Sequence, residues 1–152
     1  MEVNKDRTVN VLWADEVRQE EGGKLSIIGL YATNLDVERG ATLKQLYAFV
    51  EVTTPVDRPF KSLRFVATSN GKEVLNLSLP EAAMDAALAQ IKELEADQDD
   101  SSPGEPRVAM RAGLPFSGIT VAEPTTMRLS VTTEEGEMTN TAILHLRPRQ
   151  SK

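Results

Sequence analysis

The chain has 152 residues, of which 40% are hydrophobic and 26% charged, and it contains no cysteine. This is enough for one domain with a sizeable core, so we expect a single domain over residues 1–152. The missing cysteines exclude disulfide bonds, thiolate catalysis and cysteine-ligated metals, and the formal net charge of −6 argues against nonspecific nucleic-acid binding.

The charge is unevenly distributed along the chain. Residues 81–105 hold eight acidic residues and one lysine, so this segment carries −7 and the rest of the chain carries +1. The first residues are polar, and no segment has the roughly 18–20 apolar residues of a membrane span. We therefore expect a cytoplasmic protein that neither binds nucleic acid directly nor enters a membrane.

The first half of the chain reads as a series of β-strands. Alternation over residues 8–14, a Gly-Gly turn within 20–23 and a second β run over 24–31 predict a hairpin. Asn70-Gly71 lies between two alternating runs and predicts a type I′ turn, because both residues tolerate a positive φ. The other strands predicted in this half are residues 46–53, 60–68 and 74–79.

The hydrophobic period changes after Pro80. Apolar residues recur every three or four positions over residues 81–96, which predicts an amphipathic helix. The stripe consists of Met84, Leu88, Ile91 and Leu94. We favour packing of this stripe on the chain's own sheet, and a partner-binding face is the alternative. Residues 97–106 are rich in acids, serine, proline and glycine and predict a mobile acidic loop.

The last third of the chain returns to β patterns. Strands are predicted at residues 116–122, 126–133 and 138–146, followed by a loose basic tail at 148–152. The fold class that we predict is mainly β, an antiparallel β-sandwich of seven or eight strands with one inserted amphipathic α-helix at about 81–96. We expect the helix to cap an open end or an edge of the sandwich.

Residues 14–31 carry a distinctive signature. An acidic-acidic-x-Arg sequence is followed by Gly-Lys-x-Ser-x-x-Gly-x-Tyr, and the segment resembles the opening of a bacterial and phage-associated domain family of unknown function. The matching residues are Asp15, Glu16, Arg18, Gly23, Lys24, Ser26, Gly29 and Tyr31. The resemblance implies a β-sandwich, a cytosolic setting and a phage or prophage association, and it implies no activity.

The signature allows a structural and a functional interpretation. The first, which we favour, is that these residues fix the register and turn of the hairpin, with Gly29 as a bulge or a close-approach point. The second is a polar binding patch at one end of the sandwich. In both interpretations Asp15, Arg18 and Lys24 lie close to one hairpin end, and we expect their opposite charges to pair across it.

No catalytic constellation emerges from the sequence. His145 is the single histidine, and no nucleophile motif accompanies it. Asp97, Asp99 and Ser101 have the initial spacing of a calcium loop, but the required glycine and final glutamate are missing. We predict no catalytic, cofactor-binding or metal-binding residue and no enzyme activity, with a carboxylate-dependent hydrolase as the weakest alternative.

The function that we predict is a non-enzymatic protein-binding or assembly module. The alternative is a phage-encoded inhibitor of a host defence or nucleic-acid enzyme that acts through an acidic surface. The partner is a protein whose identity the sequence does not give, and exposed strand edges also permit a homodimer. The candidate partner-binding residues are Asp15, Arg18, Lys24, Glu93, Glu95, Asp97, Asp99 and Asp100.

Overall fold

Strands dominate the chain in a computed structural model, which describes residues 6–96, 107–138 and 142–150. The prediction of a mainly β chain with one helix is confirmed. In chain order the elements are β1 (Thr8–Gln19), β2 (Leu25–Tyr31), β3 (Asn34–Glu38), β4 (Ala41–Leu43), β5 (Leu46–Pro55), β6 (Leu63–Ser69), β7 (Lys72–Leu79), α1 (Glu81–Ala96), β8 (Arg107–Phe116), β9 (Ile119–Val121), β10 (Thr125–Thr133), β11 (Gly136–Glu137) and β12 (Ala142–Arg149).

The strands form two main sheets and one small one. The four-stranded sheet has the order β2-β1-β5-β8, and all its neighbours are antiparallel. The six-stranded sheet has the order β3-β12-β10-β6-β7, with β11 paired to β10. Its β3–β12 pair is parallel, and β4 and β9 make a separate antiparallel pair. β2 and β8 are therefore the edges of one main sheet, and β3 and β7 are the edges of the other.

One face of each main sheet contributes to a shared hydrophobic core. Trp13, Ala48 and Leu114 lie side by side across the four-stranded sheet, and Leu129 and Leu144 represent the six-stranded sheet in the same cluster. The alternation that the sequence shows follows from this arrangement, because successive side chains of a strand point to opposite faces.

The predicted hairpins are confirmed. β1 pairs with β2 through a 3₁₀ turn at Glu21–Gly23, and β6 pairs with β7. Asn70 and Gly71 both have positive φ, at 48° and 82°, as a type I′ turn requires. The Asn70 side chain also accepts a hydrogen bond from the Thr126 backbone N–H at 2.8 Å, which fixes the turn against the start of β10.

The expected strand number was wrong. The described residues form twelve strands rather than seven or eight. The sequence analysis defined no strand at β3, β4, β8 or β11. β8 contains Gly113 and Pro115, both of which are disfavoured in strands, and β4 and β11 are only three and two residues long. β3, β4 and β8 pair with strands that are distant in sequence, which a local pattern does not reveal. β11 pairs locally with the end of β10 but is too short to show a pattern.

The helix occupies Glu81–Ala96, as predicted. Met84 is buried in the common core, and Leu88 is half-buried. The side chains of Ile91 and Leu94 lie outside the described set, as do residues 97–106, where we expected a mobile acidic loop. No helix in the described ranges is long and apolar enough to cross a membrane.

The end of the chain is more ordered than we expected. Pro148 and Arg149, which we had placed in a loose basic tail, belong to β12 and pair with β3. Arg147 and Arg149 both form ion pairs with Asp36 of β3, at 2.9 and 2.7 Å. Residues 151 and 152 lie outside the described chain.

A buried arginine connects the two main sheets. The Arg7 guanidinium donates to Thr54 Oγ1 of β5 at 3.1 Å and to Glu134, just after β10, at 2.6 Å, and it lies over the Phe60 ring. Burial opposes ionisation of Glu134, but the Arg7 hydrogen bond and backbone N–H groups outweigh it and lower the pKa of that carboxyl. The buried cation is thus neutralised and hydrogen-bonded.

Candidate functional site

The signature residues lie on the β1–β2 hairpin, which forms one end of the four-stranded sheet. The two strands pair from Trp13–Tyr31 to Gln19–Leu25. Gly22 and Gly23 both have positive φ in the 3₁₀ turn, which explains the Gly-Gly sequence at this position. The conformation of the hairpin therefore depends on residues within the signature segment 14–31.

Three signature residues make one contact. The Tyr31 hydroxyl donates a hydrogen bond to the Asp15 carboxylate. Gly29 has a φ of 69°, and the Asp15 carboxylate occupies the space that a Cβ at Gly29 would need. Asp15 is thus held by its neighbour on β2, and Gly29 is required both for its backbone conformation and for this close approach.

The charged residues of the signature do not pair as expected. Arg18 bonds to Glu16 on its own strand, with Nε 2.8 Å from Oε1, and not to Asp15. The hydrogen bond from Arg18 lowers the pKa of Glu16, and the bond to Glu16 raises the pKa of Arg18. Lys24 is exposed, and its backbone carbonyl accepts the Glu20 N–H at 2.8 Å. Arg18 and Lys24 thus remain on the surface, where a partner can reach them.

The hairpin exposes two large hydrophobic side chains on β2. Ile28 and Leu30 on β2 are 42% and 59% exposed, although both are large hydrophobic residues. Among the described strands β2 pairs only with β1, so the hydrogen-bonding groups on its other side have no strand partner in this part of the chain. We call the exposed side of β2, with Ile28 and Leu30, the hairpin edge.

The hairpin edge differs from the other edges of the main sheets. β2 contains no charged residue and no proline over its whole length. β3 contains Asp36 and Glu38, β7 begins with Lys72-Glu73, and β8 contains two arginines and Pro115. Charges and prolines on edge strands discourage pairing with other chains. Among these four edges, β2 alone lacks both.

The hairpin edge continues into an apolar outer face. Leu30, Ala14, Tyr47 and Pro115 are consecutive partners across the four strands, on the side opposite the core. Ala14 is buried and Tyr47 is half-buried. The outer face of this sheet thus carries a row of apolar residues that is buried at Ala14 and becomes exposed at Leu30.

The acidic candidate site is only partly described. Glu93 is exposed on α1. The side chain of Glu95 and all of Asp97, Asp99 and Asp100 lie outside the described set. Glu93 is therefore the one acidic candidate whose side chain can be compared with Asp15, Arg18 and Lys24 within the described residues.

The other residues considered for chemistry lie apart from the hairpin. His145 is exposed on the outer face of the six-stranded sheet, with Nδ1 3.3 Å from Thr126 Oγ1. Within the described ranges, no group of three or more His, Asp or Glu side chains is arranged to hold a metal ion.

The sequence analysis did not single out Ile28 and Leu30. It placed both in a strand but could not say that this strand is an edge. The uncharged composition of β2 was the available signal, and it gains meaning only with the sheet order. The chain matches no protein-family model, and no curated protein is detectably similar to it in sequence.

Proposed function

We propose that the chain is a non-catalytic, cytoplasmic protein-binding module with a β-sandwich fold, and that it binds its partner through the hairpin edge. The observation that carries this proposal is the uncharged edge strand β2, with Ile28 and Leu30 exposed on it. The participation of both main sheets in one hydrophobic core supports the sandwich.

Strand addition is the mode of recognition that fits this surface. An extended segment of a partner pairs its backbone with the open side of β2, and alternate side chains of that segment contact Ile28 and Leu30. The Glu16–Arg18 pair and Lys24 supply polar contacts at the border of the site. This division between apolar anchors and a polar rim is the usual anatomy of a protein interface.

The alternative function, inhibition of a host enzyme through an acidic surface, depends on the segment 81–105. Glu93 is the one candidate acid of that segment whose side chain the structure describes. The hairpin edge, in contrast, is described completely, and it therefore carries the proposal.

Photo-crosslinking tests the proposal. A benzoylphenylalanine placed at Ser26 on β2 should form an adduct with one protein in lysate of the source cells, whereas the same group at Ser78 on β7 should not. The adduct is identified by mass spectrometry, and an adduct with a second copy of the chain would make this protein its own partner.

A matched pair of variants then measures the contribution of the edge. Ile28→Lys places a charge on β2 and should weaken binding of the identified partner by about tenfold or more, because the charge loses water at the interface. Val74→Lys is the control, since Val74 is 45% exposed on the edge strand β7. Equal losses in the two variants, or none with Ile28→Lys, would overturn the proposal, provided that urea unfolding shows both to be folded.

A further inference from the structure

A cleft lies where the edges of the two main sheets meet, away from the hairpin edge. Its walls are the turn between β6 and β7 and the connection from β8 to β9, and its volume is about 410 Å³. This volume falls within the range of about 300–1,000 Å³ that is usual for small-molecule sites.

The lining of the cleft combines one cation with hydroxyl and apolar groups. Lys72 is the one charged residue of the lining, and it forms no ion pair within the described residues. Ser69 and Ser117 contribute hydroxyl groups. Pro115, which is exposed, and Ile119, which is half-buried, supply apolar surface next to them. The cleft therefore offers a single positive charge beside an apolar wall.

Both walls have a defined backbone conformation. Besides accepting the Thr126 N–H, Asn70 donates from its side chain to the Pro124 carbonyl at 3.2 Å and from its backbone to the Thr126 carbonyl at 3.0 Å. On the opposite wall, Gly118 has a φ of 71°, a conformation that glycine adopts without strain. A site whose walls are already ordered loses less entropy when a ligand binds.

We propose that this cleft binds a carboxylate carried on a short apolar body, with the ammonium group of Lys72 as its counter-ion. The single negative charge of a carboxylate is balanced by the single positive charge of Lys72. A phosphate dianion would leave charge uncompensated, and phosphate sites generally provide several backbone N–H groups or further cations. The apolar body lies against Pro115 and Ile119. This chemistry is shared by free carboxylic acids and by the C-terminus of a polypeptide.

Trp13 provides a natural reporter for the test. It is the single tryptophan of the chain, and its ring packs on Phe116 with 5.9 Å between the centroids. Hexanoate should change the Trp13 fluorescence saturably and should shift the backbone amide resonances of Ser117, Gly118 and Ile119. Hexanamide, which has the same shape without the charge, should bind about fivefold more weakly.

Two variants assign the charge preference to Lys72. Lys72→Gln should bind hexanoate and hexanamide equally, whereas Lys24→Gln, which removes a lysine of the hairpin, should keep the preference for hexanoate. The proposal is overturned if hexanamide binds the native chain as tightly as hexanoate, if Lys72→Gln keeps the preference, or if hexanoate gives no saturable shifts at residues 117–119.

A second arm separates the two sources of the carboxylate. Acetyl-Ala-Val-Leu with a free C-terminus is compared with its C-terminal amide and with hexanoate. Tighter binding of the free-acid peptide than of hexanoate, with loss on amidation, would identify a polypeptide C-terminus as the source. Binding of hexanoate without binding of the peptide would identify a small carboxylic acid. If all three bind equally, the carboxylate is not recognised and the proposal fails.

Discussion

The outer faces of the two main sheets differ sharply. On β10 of the six-stranded sheet, outward residues such as Arg128 and Ser130 are exposed or half-buried, and inward residues are buried. On β5 of the four-stranded sheet, Phe49 points away from the core and yet is only 8% exposed. The two-residue period of a strand therefore shows which side chains point away from the core, but it does not show whether those side chains are exposed to solvent.

The hairpin accounts for part of this difference. Gly113 of β8 lies opposite Phe49, and a Cβ added at Gly113 would be 2.9 Å from Cγ1 of Val17. Val17 belongs to the part of β1 that continues beyond its pairing with β5. The outer half of the hairpin thus contacts the outer face of its own sheet, and the six-stranded sheet has no comparable cover in the described residues.

The largest change in stability that we expect comes from Phe49, which faces away from the core on the four-stranded sheet. Phe49→Ala should lower the free energy of unfolding by about 3 kcal/mol, because it leaves a cavity beneath the hairpin. Arg128→Ala, also outward but on the six-stranded sheet, should change it by less than about 0.5 kcal/mol. Urea unfolding measures both values, and similar losses in the two variants would remove the distinction between the outer faces.

The link between the sheets provides a second test. Glu134→Gln should lower the free energy of unfolding at neutral pH by about 1.5–3 kcal/mol, because Arg7 loses the nearer of its two carboxylate partners among the described residues, Glu134 at 2.6 Å, and keeps only Glu135 at 3.5 Å. The pKa of Glu134 is lower in the folded chain, so its stabilisation is present above its unfolded value near 4.5 and is lost as the pH falls through the folded value.

The pH dependence of the same variant serves as the control. The stability difference between the native chain and Glu134→Gln should shrink as the pH falls from 6 through the lowered pKa of Glu134. A difference that stays constant over this range would show that the glutamate contributes through its shape rather than its charge.

The smallest change in stability that we expect concerns the contact between Val17 of the hairpin and Gly113 of β8. Gly113→Ala should destabilise the chain by about 1–3 kcal/mol, since Val17 is β-branched and cannot easily move aside. In the Val17→Ala background the same substitution should cost clearly less, and a double-mutant cycle measures this coupling. Additive effects would mean that Val17 does not restrict position 113.

The sequence predicts the elements whose signals are local. The Asn70-Gly71 turn, the Gly22-Gly23 hairpin and the helix at residues 81–96 were all correct, because each depends on backbone preferences or periodicity within a few residues. β3 and β8 were missed, since β3 pairs with a strand more than 100 residues away and β8 contains a glycine and a proline.

The candidate site was predictable only in part. The signature located the hairpin, but the expected charge pairing of Asp15 was wrong, because Tyr31 takes that place as the hydrogen-bond partner. The exposure of Ile28 and Leu30 depends on the position of β2 at a sheet edge, which is a property of the whole topology. The cleft beside Lys72 arises between two distant turns and has no signature in either segment.

The Arg7–Glu134 bond has a consequence for biosynthesis. The two residues are 127 positions apart, so the arginine leaves the ribosome long before its acceptor has been translated. Until Glu134 has been translated, the Arg7 side chain lacks this carboxylate partner, and the growing polypeptide lacks the contact that joins the two main sheets at Arg7. Chaperones that shield nascent β-strands would therefore have their greatest effect before Glu134 emerges.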